Sequence, residues 1–131
     1  RIAAAGIDLF ILASGSGDGH VAFNTPGTPV DARSRVVELP ESTRRDNVRT
    51  HPDFGTADGV PPYGVTVGTG TIADYSKRAV MIAHGVEKRT AAARLSAATG
   101  YDPTWPATIV HECRSAALYL DAAAASAAST I

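Results

Sequence analysis

Short apolar runs alternate with helix-like stretches along this chain, and the runs predict strands. Each run carries β-branched or other apolar residues and is bounded by glycine, proline or polar positions, which is typical of strands that are partly or fully buried. The runs predict strands over residues 7–13, 35–39, 63–67, 79–84 and 116–120. Residues 79–84 give the clearest buried strand, and residues 35–39 are expected nearer an edge.

The stretches between these runs predict helices, with glycine- and proline-rich loops at 14–28 and 51–62. Thr43, followed three residues later by Asp46, indicates a capping-box-like start for the first helix, and Thr99-Gly100 ends the third. The predicted helices cover residues 41–50, 71–75 and 87–98, and a fourth follows Asp121 in the alanine-rich tail.

Strands that alternate with helices indicate βαβ units, and therefore an α/β fold with a mostly parallel sheet. A length of 131 residues suits one domain, or a large part of one. The chain begins at Arg1 with neither an initiator methionine nor a signal peptide, and we interpret this start as a cut. Open α/β sheets bind ligands beyond the carboxyl ends of their strands. The loops after Ala13 and after His84 are therefore the first candidate sites.

The charge balance and the cysteine count exclude several classes of protein. Twelve lysines and arginines against 13 aspartates and glutamates give a net charge of −1, whereas a nucleic-acid-binding protein needs a basic face. The single cysteine, Cys113, excludes an internal disulfide and a cysteine-rich zinc module. Since no apolar run approaches the ~20 residues of a membrane-spanning helix, we expect neither a nucleic acid nor a membrane as partner.

The loop after the first predicted strand carries the best candidate for acid–base chemistry. Gly15, Gly17 and Gly19 permit turns that other residues resist and allow a ligand to approach the backbone closely. Asp18 precedes His20 by two residues, and a carboxylate beside an imidazole fixes its tautomer and raises its basicity. The alternative, a glycine turn with a surface aspartate and histidine, stays open at this point.

Two basic positions are candidates for binding an anion. Lys88 falls at the start of a predicted helix, where a cation opposes the helix dipole unless an anion such as phosphate is bound there. Arg45 and Arg49 share a helix face, and the guanidinium fork suits phosphate. The composition alone favours solvated side chains, with Lys88 paired to Glu87 and the arginines to Asp46.

The other histidines and the tryptophan suggest no further site. His51, His84 and His111 are too scattered for a metal centre, because spacings such as H-x-H are missing. We expect Trp105, between two prolines, to pack in the core or against a loop.

Several short motifs follow one another along the chain. They are Asp-Gly-His-Val-Ala-Phe-Asn-Thr-Pro-Gly at 18–27, Arg-Val-Val-Glu-Leu at 35–39, Glu-Ser-Thr-Arg-Arg-Asp-Asn at 41–47 with Arg49, Val-Thr-Val-Gly-Thr-Gly-Thr at 65–71, Gly-Val-Glu-Lys at 85–88, Trp-Pro-Ala at 105–107 with His111, and Tyr-Leu-Asp at 119–121. In this order and at this spacing they resemble the glucosamine-6-phosphate deaminase (glucosamine/galactosamine-6-phosphate isomerase) family. The resemblance covers essentially the whole chain, but only about the second half of the family's usual length.

The resemblance implies a modified Rossmann-like α/β fold and a cytoplasmic enzyme of amino-sugar metabolism. The family converts glucosamine 6-phosphate and water to fructose 6-phosphate and ammonia, with neither metal nor organic cofactor. The resemblance implies that His20 opens the sugar ring and that Asp18 orients the imidazole of His20. It further implies that Arg49 and Lys88 bind the substrate phosphate.

Two positions depart from the family pattern. Thr25 stands where the family has a glutamate that supports the ring-opening histidine, so a cationic His20 has weaker electrostatic support here. Arg35 matches a basic residue of the allosteric site found in hexameric members, but Val37 stands where those members have a lysine. We therefore do not expect that regulation, although a homo-oligomer stays open.

The resemblance also places the enolising carboxylate and a glycine-threonine phosphate loop in the half of the family that precedes these residues. The 131 residues alone are therefore expected to lack deaminase turnover. Three alternatives stay open: a deaminase for another hexosamine 6-phosphate such as galactosamine 6-phosphate, a phosphogluconolactonase-like hydrolase, and a sugar-phosphate sensor domain without turnover.

Overall fold

The main sheet of the protein is parallel and has three strands. A computed structural model describes residues 2–126, and in it β1 (Phe10–Ala13), β4 (Ala79–Ala83) and β5 (Ala116–Leu120) pair in the order β1-β4-β5. Phe10 lies opposite Ala79, and Ala79 lies opposite Ala116, so the three strands start at the same level. Their carboxyl ends therefore share one edge, as the predicted α/β fold requires.

A second, two-stranded unit is antiparallel. Strands β2 (Arg35–Glu38) and β3 (Tyr63–Thr66) pair with each other and not with the main sheet. The sequence indicated a strand near a sheet edge at 35–39, and among the described residues this strand belongs to a separate ribbon. The main sheet is parallel, as predicted. Val36 and Val65 lie directly opposite each other on one face of this ribbon, and both are largely exposed. The two strands therefore bury only their other face, as antiparallel strands commonly do.

The helices lie close to the predicted ranges, except for the first, which the sequence did not predict. They are α1 (Ile2–Ala5), α2 (Glu41–Thr50), α3 (Thr69–Tyr75), α4 (Arg89–Ala97) and α5 (Ala122–Ala125), with 3-10 turns at Pro52–Phe54, Ala57–Gly59, Val86–Lys88 and Pro106–Glu112. The alanine-tail helix is described only as far as Ser126, and the rest of that prediction lies outside the described residues.

The predicted capping box of α2 is wrong. The residue before the helix is Pro40, and its end has no side-chain cap. Thr43 is instead the third helical residue and is buried, and its carbonyl accepts a hydrogen bond from Asn47 at 3.0 Å. Proline suits this position because its fixed φ matches the extended backbone found there.

The core covers one face of the parallel sheet. Leu12 and Met81 point into a cluster with Ile72, Leu95 and Ile109, all of them buried. On the opposite face, Ile11 is 62% exposed, Ile82 40% and Tyr119 53%. Residues alternate between the two faces of a strand, so the described part of the chain buries one side of the sheet and leaves the other side apolar and open.

Cys113 lies at the edge of this core and is expected to react slowly. It is 8% exposed, and burial raises the pKa of its thiol to about 11. Since the thiolate is the nucleophile, we expect iodoacetamide at pH 8 to label the folded chain at least about tenfold more slowly than the urea-unfolded chain. Equal labelling rates, measured by mass spectrometry, would contradict the buried position.

Within residues 2–126, no helix is both long and apolar enough to cross a bilayer.

Candidate functional site

The loop after β1 folds back on itself and is fixed at both ends. The Gly15 amide donates to the carbonyl of His20 at 2.7 Å, and Ser14 forms an antiparallel bridge with Val21. The Ala107 amide donates to the carbonyl of Gly19 at 2.8 Å. The glycine-rich segment is therefore a closed turn at the carboxyl end of β1, in the place where α/β sheets bind their ligands.

Asp18 and His20 form the pair that their spacing predicted. Asp18 Oδ1 lies 2.8 Å from His20 Nδ1 and also accepts a hydrogen bond from the His20 amide at 3.1 Å. A carboxylate at Nδ1 favours the tautomer with the proton on that nitrogen, which leaves Nε2 of the neutral ring as a base. The His20 side chain is 26% exposed, so it is both oriented and reachable.

Two glycines make this pair possible, each in a different way. A Cβ at Gly15 would lie 2.3 Å from Asp18 Oδ1 and 2.4 Å from His20 Nδ1, so any side chain there would displace the pair. Gly19 has φ +68°, and a Cβ there would lie 2.2 Å from the indole of Trp105. The sequence indicated turns and ligand access at these glycines. It did not indicate that the absence of a side chain at Gly15 and Gly19 leaves space for His20 and Trp105.

Trp105 packs as expected. It is 5% exposed, lies against Gly19, and has the guanidinium of Arg94 over its ring at 5.6 Å. Gly17 differs from its neighbours because nothing lies within 4 Å of a Cβ built on it.

Lys88 reaches the same loop from the other side. It ends the 3-10 turn Val86–Lys88 and is the residue just before α4, close to the helical position predicted from the sequence. Its ammonium donates to the carbonyl of Ser14 at 2.7 Å. Among the described residues the expected pairing with Glu87 is not formed, and an ammonium with one such bond keeps two further donors for a ligand.

The three arginines of α2 have different environments. Arg45 pairs with Glu41 at 2.5 Å, and Arg44 donates to the carbonyl of Ala57 at 3.4 Å. Arg49 has only a loose contact with Asp46 at 3.7 Å, and its side chain is 85% exposed. The expected pairing with Asp46 is therefore present at Arg49, and Arg49 is also the arginine of this helix that lines the cleft at the carboxyl end of β1.

A cleft of about 790 Å³ brings these side chains together at the carboxyl end of β1. Its lining includes Asp18, His20, Arg49 and Lys88, with Gly17 on the loop side. A base and two cations thus line one space together with the carboxylates of Asp46 and Glu87. The cations suit an anionic group, and the imidazole suits proton transfer. In the described part of the chain no cluster of histidine, cysteine or carboxylate side chains could hold a metal ion.

Thr25 does not line this cleft. Its carbonyl accepts hydrogen bonds from the amide and hydroxyl of Thr28, at 3.1 and 2.7 Å, so it stabilises a turn. The structure therefore does not bring this threonine together with the other candidate site residues.

The neighbouring Asn24 has a role that the sequence reasoning missed. It is fully buried, and its amide nitrogen donates to the carbonyls of Val21 and Val67 at 3.0 and 2.7 Å. Its oxygen accepts from Arg35 at 3.0 Å. Asn24 thus joins the loop after β1 to the segment after β3. The only available signal was its place inside the motif at 18–27.

No protein-family model matches the chain. Comparison with curated proteins gives a clear result instead. The chain is 40% identical over 123 residues to the glucosamine-6-phosphate deaminase of an Exiguobacterium species, covering 92% of this chain and 45% of that protein. It is 41% identical over 124 residues to the glucosamine-6-phosphate deaminase of Rhodococcus opacus, covering 94% and 45%.

The chain is similar to one half of the glucosamine-6-phosphate deaminases. It spans about half the length of the curated relatives that it matches. Among solved structures, a monomeric glucosamine-6-phosphate deaminase superposes with a TM-score of 0.80 at 34% identity, over 92% of this chain and 47% of that one. A 6-phosphogluconolactonase from Leishmania guyanensis superposes with a TM-score of 0.61 at 25% identity. These matches confirm both the α/β fold class and the resemblance inferred from the motifs.

Proposed function

We propose that the complete natural polypeptide carrying this sequence converts glucosamine 6-phosphate and water to fructose 6-phosphate and ammonia. The observation that supports this most strongly is the cleft that holds the Asp18–His20 pair together with Arg49 and Lys88. Similarity to glucosamine-6-phosphate deaminases in sequence and in structure supports the same reaction. The phosphogluconolactonase alternative has weaker support, because that similarity is lower in both sequence and structure.

His20 is the proposed ring-opening residue. Its Nε2 takes a proton from the anomeric hydroxyl and delivers a proton to the ring oxygen, so that the cyclic sugar becomes the open aldehyde. Asp18 supports both steps, because it holds the ring through Nδ1 and stabilises the imidazolium that forms between them. The closed turn that Gly15 and Gly19 permit keeps this pair in place at the cleft.

Arg49 and Lys88 are the proposed phosphate ligands, and Gly17 and Gly19 belong to the proposed substrate loop. Arginine binds two phosphate oxygens through its fork, and lysine adds a point charge with two donors to spare. Such charge-assisted hydrogen bonds contribute about 1.5–3 kcal/mol each. The phosphate thereby anchors one end of the substrate while His20 acts on the other.

The proposal also covers the cellular location and the oligomeric state of the protein. The family resemblance supports a cytoplasmic hydrolase or isomerase of amino-sugar metabolism that needs no cofactor. It leaves both a monomer and a homo-oligomer as expected forms, and one structural relative is a monomeric deaminase.

The direct test of the reaction is ammonia release and fructose 6-phosphate formation by the purified complete polypeptide. Glucosamine 6-phosphate, galactosamine 6-phosphate and 6-phosphogluconolactone are supplied in parallel. Turnover of the first supports the proposal. Turnover of either of the others alone, or tight binding without turnover as in a sensor domain, would contradict it. The isolated 131 residues are expected to show no turnover.

Replacement of Thr25 by glutamate is expected to raise kcat by about tenfold, which is less than the ~10²–10⁴-fold contribution of a complete general acid–base residue. Thr25 lies outside the cleft lining, but a glutamate oxygen lies two bonds further from Cβ than the threonine hydroxyl. If this longer side chain extends to the cleft, its charge stabilises the imidazolium of His20. The control is Thr25→Gln, which has nearly the same size without the charge. If both variants have unchanged or lower kcat in the ammonia assay, the site is organised around threonine and this expectation is wrong.

A further inference from the structure

The turn that carries Lys88 is held by a residue that lies outside the cleft. The Gly85 amide is 3.1 Å from both carboxylate oxygens of Asp121. Gly85 has φ +90°, and its carbonyl accepts a hydrogen bond from the Lys88 amide at 3.1 Å. The position of Gly85 therefore determines where the short turn from Val86 to Lys88 begins.

Asp121 is itself firmly placed. It follows β5 directly and caps α5, because its Oδ1 accepts a hydrogen bond from the Ala124 amide at 2.8 Å. The Ala124 and Gly85 amides together stabilise the carboxylate and lower the pKa of Asp121 below its usual value. Arg89, the first residue of α4, donates to the carbonyl of Ala123 at 3.3 Å and ties the two helices together.

The position of Lys88 is thus fixed by contacts at its backbone and at its ammonium. Its backbone follows the turn that Asp121 fixes at Gly85, and its ammonium contacts the carbonyl of Ser14 at the end of β1. Asp121 does not line the cleft, so it has no contact of its own with a ligand bound there. Any influence of Asp121 on ligand binding must therefore act through the turn.

We infer that Asp121 is a positioning residue for the substrate phosphate: it holds the turn at Gly85 and so directs the Lys88 ammonium into the cleft. This inference rests on the proposed function, because it requires that Lys88 binds the phosphate. It predicts that Asp121 and Lys88 contribute to the same binding step and are not independent.

A double-mutant cycle in the complete polypeptide tests this coupling. Binding of fructose 6-phosphate is measured by calorimetry in ammonium-free buffer, where the reverse reaction lacks its second substrate. Lys88→Ala is expected to weaken binding by about one to two decades. Asp121→Ala is expected to weaken it about fivefold when Lys88 is present and less than about twofold in the Lys88→Ala background, as for residues that share one hydrogen-bond network.

Two further variants separate positioning from general loss of stability. Asp121→Asn keeps one acceptor oxygen for Gly85 and should lose less affinity than Asp121→Ala. If the alanine variant does not fold, the cycle is run with asparagine. Asp8→Ala removes a different hydrogen-bonded carboxylate. Asp8 lies just before β1 and pairs with Lys77, and its loss should leave the affinity for fructose 6-phosphate unchanged.

The outcomes are distinct. If Lys88→Ala weakens binding but Asp121→Ala has no effect, or has the same effect with and without Lys88, the inference is wrong and the proposed phosphate site stands. If Lys88→Ala leaves binding unchanged, the proposed phosphate site fails and the inference is overturned with it. Coupling of at least about threefold between the two substitutions supports positioning through the turn.

Discussion

Replacing His20 with glutamine in the complete polypeptide is expected to lower kcat for ammonia release by about 10²–10⁴-fold, the usual contribution of a general acid–base residue. Glutamine keeps much of the volume of histidine and a polar terminus, but it cannot exchange a proton near neutral pH. Because the contacts of Arg49 and Lys88 with the phosphate would remain, KM should change much less than kcat. The loss therefore belongs to ring opening and not to binding.

The matched control is the same substitution at His51, which is exposed and follows α2 outside the cleft. It should leave kcat within about twofold of the unmodified protein, as is usual for surface changes. A kcat loss below about threefold for His20→Gln would show that another group opens the ring.

Gly19→Ala is expected to destabilise the folded chain by about 2–5 kcal/mol. A left-handed backbone costs a residue with a side chain roughly 1–2 kcal/mol, and overpacking a filled core costs roughly 1–3 kcal/mol. Both apply here, because Gly19 has φ +68° and a Cβ would lie 2.2 Å from the Trp105 indole. Since domains are stable by only about 5–15 kcal/mol, the loss is a large fraction of the total.

Gly17→Ala provides the control in the same loop. Nothing lies within 4 Å of a Cβ at Gly17, and its φ is not in the left-handed region. Urea unfolding of the two variants and the unmodified chain should show a lower midpoint for Gly19→Ala and an unchanged one for Gly17→Ala. Equal midpoints for both variants would mean that Trp105 does not pack against this loop as described.

The short apolar runs predicted strands of the main sheet, and the family resemblance supported the fold class. Residues 79–83 and 116–120 are strands where the sequence indicated them, and their parallel pairing follows from the helices between them. The pattern did not predict that β2 and β3 form a separate antiparallel ribbon, because pairing partners depend on contacts between residues distant in sequence. The cap of α2 was mispredicted because Thr43 and Asp46 fit the motif, while Pro40 sets the actual start.

The contacts of the candidate site were likewise predicted only in part. The two-residue spacing of Asp18 and His20 indicated their contact, since the two residues share one short loop, but it left a turn with surface side chains open as the alternative. The meeting of Arg49 and Lys88 in one cleft came only from the resemblance, because the two residues lie on different elements. Asp121 and Gly85 have no local signal at all, since their hydrogen bonds join segments 36 positions apart.

A crystal structure of the complete polypeptide with fructose 6-phosphate bound tests the central claim most directly. The proposed function predicts the phosphate between the Arg49 guanidinium and the Lys88 ammonium, with oxygen–nitrogen distances of about 2.7–2.9 Å. It also predicts that the carbonyl end of the sugar lies toward His20. A phosphate bound elsewhere, or Arg49 and Lys88 directed to opposite sides of the sheet with no ligand between them, would contradict it.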